Sequence, residues 1–321
     1  EKIPEAIAVV NPQISPKYHF KWLAWVWVAF KLICALLHKS TFDKQKKNQI
    51  FNYFLPVVAI GTVADVVPLV HENRIIVKRW LEILNNQQSK IPWSLRWFLS
   101  YLNLKHPIDT YHIWFIIGPR INAGGRITSP YDSLYSLLYS GEKQIPYLEN
   151  LEQINTERKT IQEQMFKQAE LSINLKKKLL VGYSDEFHEG IIGIVAGRLT
   201  EKYNKPSMIM KIDQEKHIAI ASLRWPDYFN VIDMIKIAAP LLQRFGGHKW
   251  AWWLSVDLDY LDQLIALFDN YCEKNISEKD LKKTLTIDTK LYCHERDLNS
   301  LSKINKLAPF GEWNEEPTFL L

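Results

Sequence analysis

Between residues 177 and 242 the chain runs through apolar and polar segments in the order that most narrows its fold. Residues 177–184 alternate as a strand does, and 190–203 carry helical spacing. Residues 207–212 and 217–222 read as two further strands, and 231–242 as a second helix. A strand needs a partner strand, and a helix must cover its apolar stripe. This order therefore predicts an α/β domain. Ahead of it, residues 141–176 hold no Gly or Pro after Pro146 and include the charged run Glu157-Arg158-Lys159. That stretch predicts a long, solvated helix connecting two domains.

Residues 1–140 read as short apolar runs alternating with helices. A strand is expected over 6–10 and helices over 20–38, 73–85 and 131–139, with Ile75, Val77, Leu81 and Leu84 as core positions of the third segment. Short strand-like runs resume after 281. No internal repeat and no low-complexity tract stands out.

Three glycine-bearing motifs carry the candidate chemistry. They are Gly61-Thr62-Val63-Ala64-Asp65, Gly118-Pro119-Arg120-Ile121-Asn122-Ala123-Gly124-Gly125-Arg126 and Phe245-Gly246-Gly247-His248. Adjacent glycines let backbone N–H groups approach an anion, and a neighbouring His adds a side-chain donor. Each also has an ordinary reading. Asp65 suits a cap or turn, and FGGH suits a turn ahead of a strand. Asn122 could brace its loop, and Arg120 could pair with a carboxylate. His188, just before the helix opened by Gly190, could be a simple cap.

The order of the three motifs changes the balance. An acid in a GTVAD loop, then GPRINAGGR, then a strand–helix unit, then FGGH, resembles the DHH phosphoesterase superfamily, and within it the RecJ exonuclease branch. Residues 3–12 resemble the segment after the family's Asp-His-His signature. Residues 187–199 resemble the opening helix of the DHH-associated domain. Residues 309–317 resemble the PFGxGNPEP turn of the RecJ oligonucleotide-binding fold, which smaller relatives lack. The resemblance implies four parts: the C-terminal part of a parallel-sheet DHH domain over 1–140, a connecting helix over 141–176, a DHH-associated domain over 177–274, and the beginning of an oligonucleotide-binding β-barrel over 275–321.

The same resemblance implies a 5′–3′ exonuclease on single-stranded DNA in repair and recombination. It would hydrolyse phosphodiester bonds with two Mn²⁺ or Mg²⁺ ions. Asp65 is then a metal ligand. Arg120, Asn122, Arg126, His188, Arg224, Gly246, Gly247 and His248 are expected to bind substrate, and Lys249 to be solvated. A single-strand-binding protein or a helicase is a conceivable partner. Two rivals remain: a short-oligonucleotide or cyclic-dinucleotide phosphodiesterase of the same superfamily, and a replication-associated relative that binds DNA without cleaving it. Glu1 enters in mid-domain, so this is expected to be an internal stretch of a longer protein. With only one metal-binding carboxylate, it is expected to be inactive alone.

Twelve Trp are unusual in 321 residues, and their places are odd. Trp25, Trp27, Trp80, Trp114, Trp253 and Trp313 stand where RecJ-like sequences carry Gly, and Trp225 follows Arg224 where Ser is usual. Trp22, Trp93, Trp97 and Trp250 also sit where Gly would be unremarkable. The largest side chain is the worst substitute for one that is absent. We expect that UGA, encoding glycine in the source, has been written as Trp.

Composition adds bounds. Hydrophobic residues at 47% and charged residues at 23% are ordinary for a globular chain, and a net charge of +5 agrees with a polyanionic partner without arguing for one. Cys34, Cys272 and Cys293 form neither a zinc pattern nor a disulfide framework, which points to a reducing cytoplasm. The apolar run 22–37 is short of a membrane span, and a buried helix is expected there.

Overall fold

The computed structural model describes residues 3, 5–86, 91–248 and 251–321. The chain divides into two units, one made of residues 1–154 and 286–321, the other of 155–285.

Among its described residues, the regular elements in the main segment of the first unit are all helices. It comprises α1 (Trp25–Lys39), α2 (Lys44–Ala64), α3 (His71–Asn86), α4 (Trp93–Tyr101), the single turn α5 (Thr110–His112), α6 (Gly118–Ile127) and α7 (Tyr131–Leu138). A π-turn, Ile113–Ile117, joins α5 to α6. The strand expected over 6–10 does not form. Those residues are exposed, and no described strand lies beside them to take up their backbone hydrogen bonds. The sheet expected within 1–140 is likewise absent among the described residues.

α3 is longer than expected, and its buried face differs. Val77 and Leu84 are buried with Ile76, Trp80 and Ile83, whereas Ile75 is 69% exposed. The core stripe runs 73, 76, 77, 80, 83, 84, a helical period that places 75 on the opposite side.

The segment 286–321 packs within this same unit. Arg74 of α3 donates to three successive carbonyls, those of Leu307, Ala308 (3.0 Å) and Pro309 (3.1 Å). The Thr110 hydroxyl donates to Phe310 O at 2.8 Å, and Leu69 N–H to Glu312 O at 2.7 Å.

Helix α8 (Ile145–Ser172) carries the boundary between the units, close to the connector expected over 141–176. The second unit follows as β1 (Leu180–Ser184), α9 (Glu189–Tyr203), β2 (Ser207–Asp213), β3 (Ile218–Arg224), α10 (Val231–Ala238), β4 (Leu242–His248), β5 (Ala251–Asp257) and α11 (Leu261–Asn275). The α/β order is the expected one. The sheet is mixed: its order is β1-β2-β3-β5-β4, and only β1 and β2 run parallel. Met208, Met210, Ala221, Leu254 and Val256 on its core strands pack against Met234 and Ile235 of α10 and Leu264 and Phe268 of α11.

Of the barrel expected after 274, the described residues show one parallel two-residue pair, β6 (Thr289–Lys290) with β7 (Phe319–Leu320), and a short helix between them, α12 (Leu298–Asn305). No helix among the described residues is long and apolar enough to cross a membrane. Most of the run 22–37 does lie in α1, but not as the buried helix expected: within α1 only Phe30 is buried, while Trp25, Leu32 and Leu36 are exposed, because the helix packs one side on the core.

Candidate active site

The GTVAD stretch is not a loop. It is the last turn of α2, with Asp65 as its C-cap. The helix continues through these residues because Val58, Ala59, Thr62 and Val63 face the core, and burial outweighs the loop tendency of Gly61. Gly61 is there for closeness: a Cβ at this position would stand 3.0 Å from a methyl of Val26 on α1.

GPRINAGGR is helical too, forming α6 with Pro119 in its first turn, where a missing N–H costs nothing. Gly118 lies against the end of α2, where an added Cβ would meet that of Ala64 at 3.3 Å, and at Gly124 a Cβ would fall 2.7 Å from Ser129 O. Both motifs look like loops in sequence because glycine serves turns and close helix contacts equally well.

The docking of α6 on α2 forms a cleft of about 380 Å³ lined by Trp25, Gly61, Ala64, Asp65, Ile121 and Asn122, among others. Asp65 and Asn122 are thus brought together, both exposed to solvent. Their carboxylate and amide oxygens are hard donors of the kind Mg²⁺ and Mn²⁺ prefer. Asp65 fits as one ligand of such a centre. The described lining holds no second carboxylate.

Arg120, on the same helix, shows its ordinary alternative. Its guanidinium pairs with both carboxylate oxygens of Glu152, at 2.5 and 3.1 Å, and donates to Ile116 O at 2.8 Å. Arg126 is exposed by surface area yet crowded by neighbouring atoms. That desolvation lowers its pKa, though an Arg stays protonated regardless.

In the second unit, His188 is the N-cap of α9, its Nδ1 accepting from Gly190 N–H at 3.1 Å. This is the capping role the sequence left open. Because Nδ1 accepts, the proton of the neutral ring lies on Nε2, as a donor. Arg224 closes β3 and donates to Ser222 Oγ (2.9 Å) and to Leu223 O (2.8 Å). Its side chain lies over the glycine face of α9: a Cβ at Gly193 would meet both Arg224 Nη2 and Ser222 Oγ at 3.0 Å, and one at Gly197 would face its Cγ at 3.9 Å. His188 thus stands at the opening of α9, a helix terminus of the kind that suits an anion, while Arg224 lies along the face of the same helix at Gly193 and Gly197. Ser222 was not singled out in the sequence. The available signal was its place two residues before Arg224, on the same strand face.

FGGH is not a turn but the end of strand β4, in which Gly246 and Gly247 pair with Trp253 and Trp252. No side chain fits at Gly247, where a Cβ would collide with Ala251 O and the Trp252 ring. The side chain of His248, with Lys249 and Trp250, lies outside the described residues. One further cluster, at the surface of the second unit, is His217 with Asp257 and Asp259. There a hydrogen bond to the Asp259 carboxylate raises the His217 pKa.

Comparison with known proteins bears on the fold. Residues 176–274 match the DHHA1 domain family. The chain is 29% identical to the single-stranded-DNA-specific exonuclease RecJ of Bacillus subtilis, over 100% of this chain and 40% of that protein. It is 28% identical to its namesake from Haemophilus influenzae, over 99% of this chain and 58% of the relative. The chain therefore spans about half the length of the curated relatives it matches. Its fold superposes on a crystal structure of RecJ from Thermus thermophilus in complex with Mn²⁺ with a TM-score of 0.80 and 25% identity, covering 96% of this chain and 44% of that one. A Mg²⁺ complex of the same protein matches equally well, also at 0.80. Sequence and fold together make this a RecJ-like chain, with a DHHA1 domain at residues 176–274.

Proposed function

We propose that the chain is the Asp65-bearing and phosphate-gripping portion of a single-stranded-DNA exonuclease that hydrolyses phosphodiester bonds from the 5′ end. The observation that carries this reading is the joining of Asp65 and Asn122 in one cleft by the docking of α6 on α2. Whole-chain likeness to single-stranded-DNA-specific exonucleases supports it.

The residues divide the work by charge. Asp65 holds divalent metal, and Asn122 orients the phosphodiester beside it. A bound pair of Mn²⁺ or Mg²⁺ ions supplies charge neutralisation and an activated water. Arg224, along the face of α9, and the His188 Nε2–H, at its opening, each offer a donor to terminal phosphate oxygens. Gly247 keeps the β4 backbone bare at the FGGH motif, where His248 adds a donor. Residues 286–321 contribute to the path of the strand through stacking. Repair and recombination in the cytoplasm, alongside a single-strand-binding protein or helicase, is the setting this activity fits.

The test is hydrolysis by the full gene product of 5′-labelled single-stranded DNA, with duplex DNA as control and Mn²⁺ titrated. Processive release of nucleotides from the single strand alone is the expected result. Tight single-strand binding without hydrolysis at any Mn²⁺ concentration would replace the reading with that of a non-catalytic relative.

A further inference from the structure

Trp313 adopts φ = +60°, in the left-handed region that a bulky side chain rarely occupies. Its turn is closed by reciprocal backbone hydrogen bonds of 2.9 Å between Gly311 and Asn314, so the conformation is imposed by the turn. Burial does not offset the strain. The indole stays 48% exposed, with an edge contact to the similarly exposed Trp22.

Trp80 and Trp252 show a second fault, because each buries its indole N–H with no acceptor among the described residues. A buried Trp ordinarily finds one. Composition supplies a third observation. Glycine and tryptophan stand at 12 each; glycine alone is about half of its ordinary ~7% usage, and the two together reach that level. The fourth observation concerns the site. Trp25, 56% exposed at the start of α1, stands in the wall of the Asp65–Asn122 cleft.

We propose that in its own cell the protein carries glycine at positions 25 and 313, and at 80 and 252, because UGA is read there as glycine. The glycine codon GGA and UGA differ only in the first base, so one change in a glycine tRNA anticodon suffices. A reading that assigns UGA to tryptophan then writes Trp at each site. At position 313 glycine takes φ = +60° without penalty. At position 25 it turns a wall of the cleft from indole into bare backbone, which a phosphodiester can approach closely. This last consequence rests on the nuclease reading; the recoding does not.

The codons and the native peptides decide the matter. UGA at positions 25 and 313, with glycine in peptides covering them from protein made by the source cells, is the expected result. UGG codons, or tryptophan in those peptides, overturn the proposal. As a second arm, Trp313→Gly should raise Tm by roughly 2–4 °C; an unchanged or lower Tm contradicts the conformational argument. In the full-length enzyme, Trp25→Gly should tighten single-strand binding about 10-fold by clearing the cleft. Glycine in the peptides with no gain from Trp25→Gly would keep the recoding and reject the cleft assignment.

Discussion

The two candidate sites lie at opposite ends of two helices. Asp65 caps the C-terminal end of α2, where the backbone carbonyls already concentrate negative potential, and no basic residue in the last turn offsets it. An acid in that position costs about 0.3–1 kcal/mol. His188 caps the N-terminal end of α9, where N–H groups concentrate positive potential, and Arg224 lies farther along the same helix, against Gly193 and Gly197. On the proposed reading, the first end would attract a cation and the second an anion. Phosphodiester hydrolysis, as proposed above, would draw on both ends.

The comparison breaks first if the two ends do not fail differently. Asp65→Ala in the full-length enzyme should lower single-turnover hydrolysis by on the order of 10³-fold, while single-strand affinity stays within about twofold. Equal losses of rate and affinity would mean that Asp65 grips substrate, and the division by charge would collapse.

Arg224→Ala should do the opposite. Losing one charge-assisted contact, worth about 1.5–3 kcal/mol, should weaken binding near the 5′ end roughly 10- to 150-fold. The log–log salt slope of single-strand binding should also flatten by about 0.7. An unchanged slope would show that Arg224 meets no phosphate and serves the fold instead, through contacts such as those with Ser222 and the Leu223 carbonyl.

Arg120→Ala sharpens the contrast from the structural side. Its pair with Glu152 is only partly shielded, the two side chains being 17% and 38% exposed. Removal should therefore cost about 1–2 kcal/mol of stability, below the loss for a fully buried pair. Affinity should barely change; a large affinity loss with unchanged Tm would return Arg120 to the DNA-binding set.

The smallest effect is expected from His188→Asn. The variant keeps an N-cap acceptor, so Tm should hold within about 2 °C. Affinity should fall modestly through loss of the Nε2–H donor. No change in affinity would leave His188 as a cap and nothing more.

The second unit was the more legible in sequence, for a physical reason. Strands 180–184, 207–213 and 218–224 and helix 189–203 have patterns fixed by their own two-sided burial, and sequence boundaries fell within a few residues of the observed ones. The first unit was harder. The stretches around Gly61 and Gly118 read as loops, yet they are helices whose glycines permit Val26 and Ala64 to come close. That requirement depends on which helix docks where, and no local window contains it. The candidate strand over 6–10 failed for the converse reason: a period-two pattern describes one strand, and pairing needs two. Asp65 and Arg224 were nominated through motif resemblance. The brace from Arg120 to Glu152 and the packing of Arg224 over Gly193 needed coordinates, since each joins residues some 30 positions apart.

Arg74 and Leu69, which hold the backbone of residues 307–312, also bear on the order in which the chain acquires its shape. The loop that follows Asp65 is sealed by residues synthesised more than 200 positions later. On the ribosome the second unit, continuous in sequence, has all its strands before this seal exists. The stretch after Asp65 therefore gains these hydrogen bonds only after the whole sheet of the second unit has left the ribosome, so the end of α2 is the later of the two helix ends to be finished.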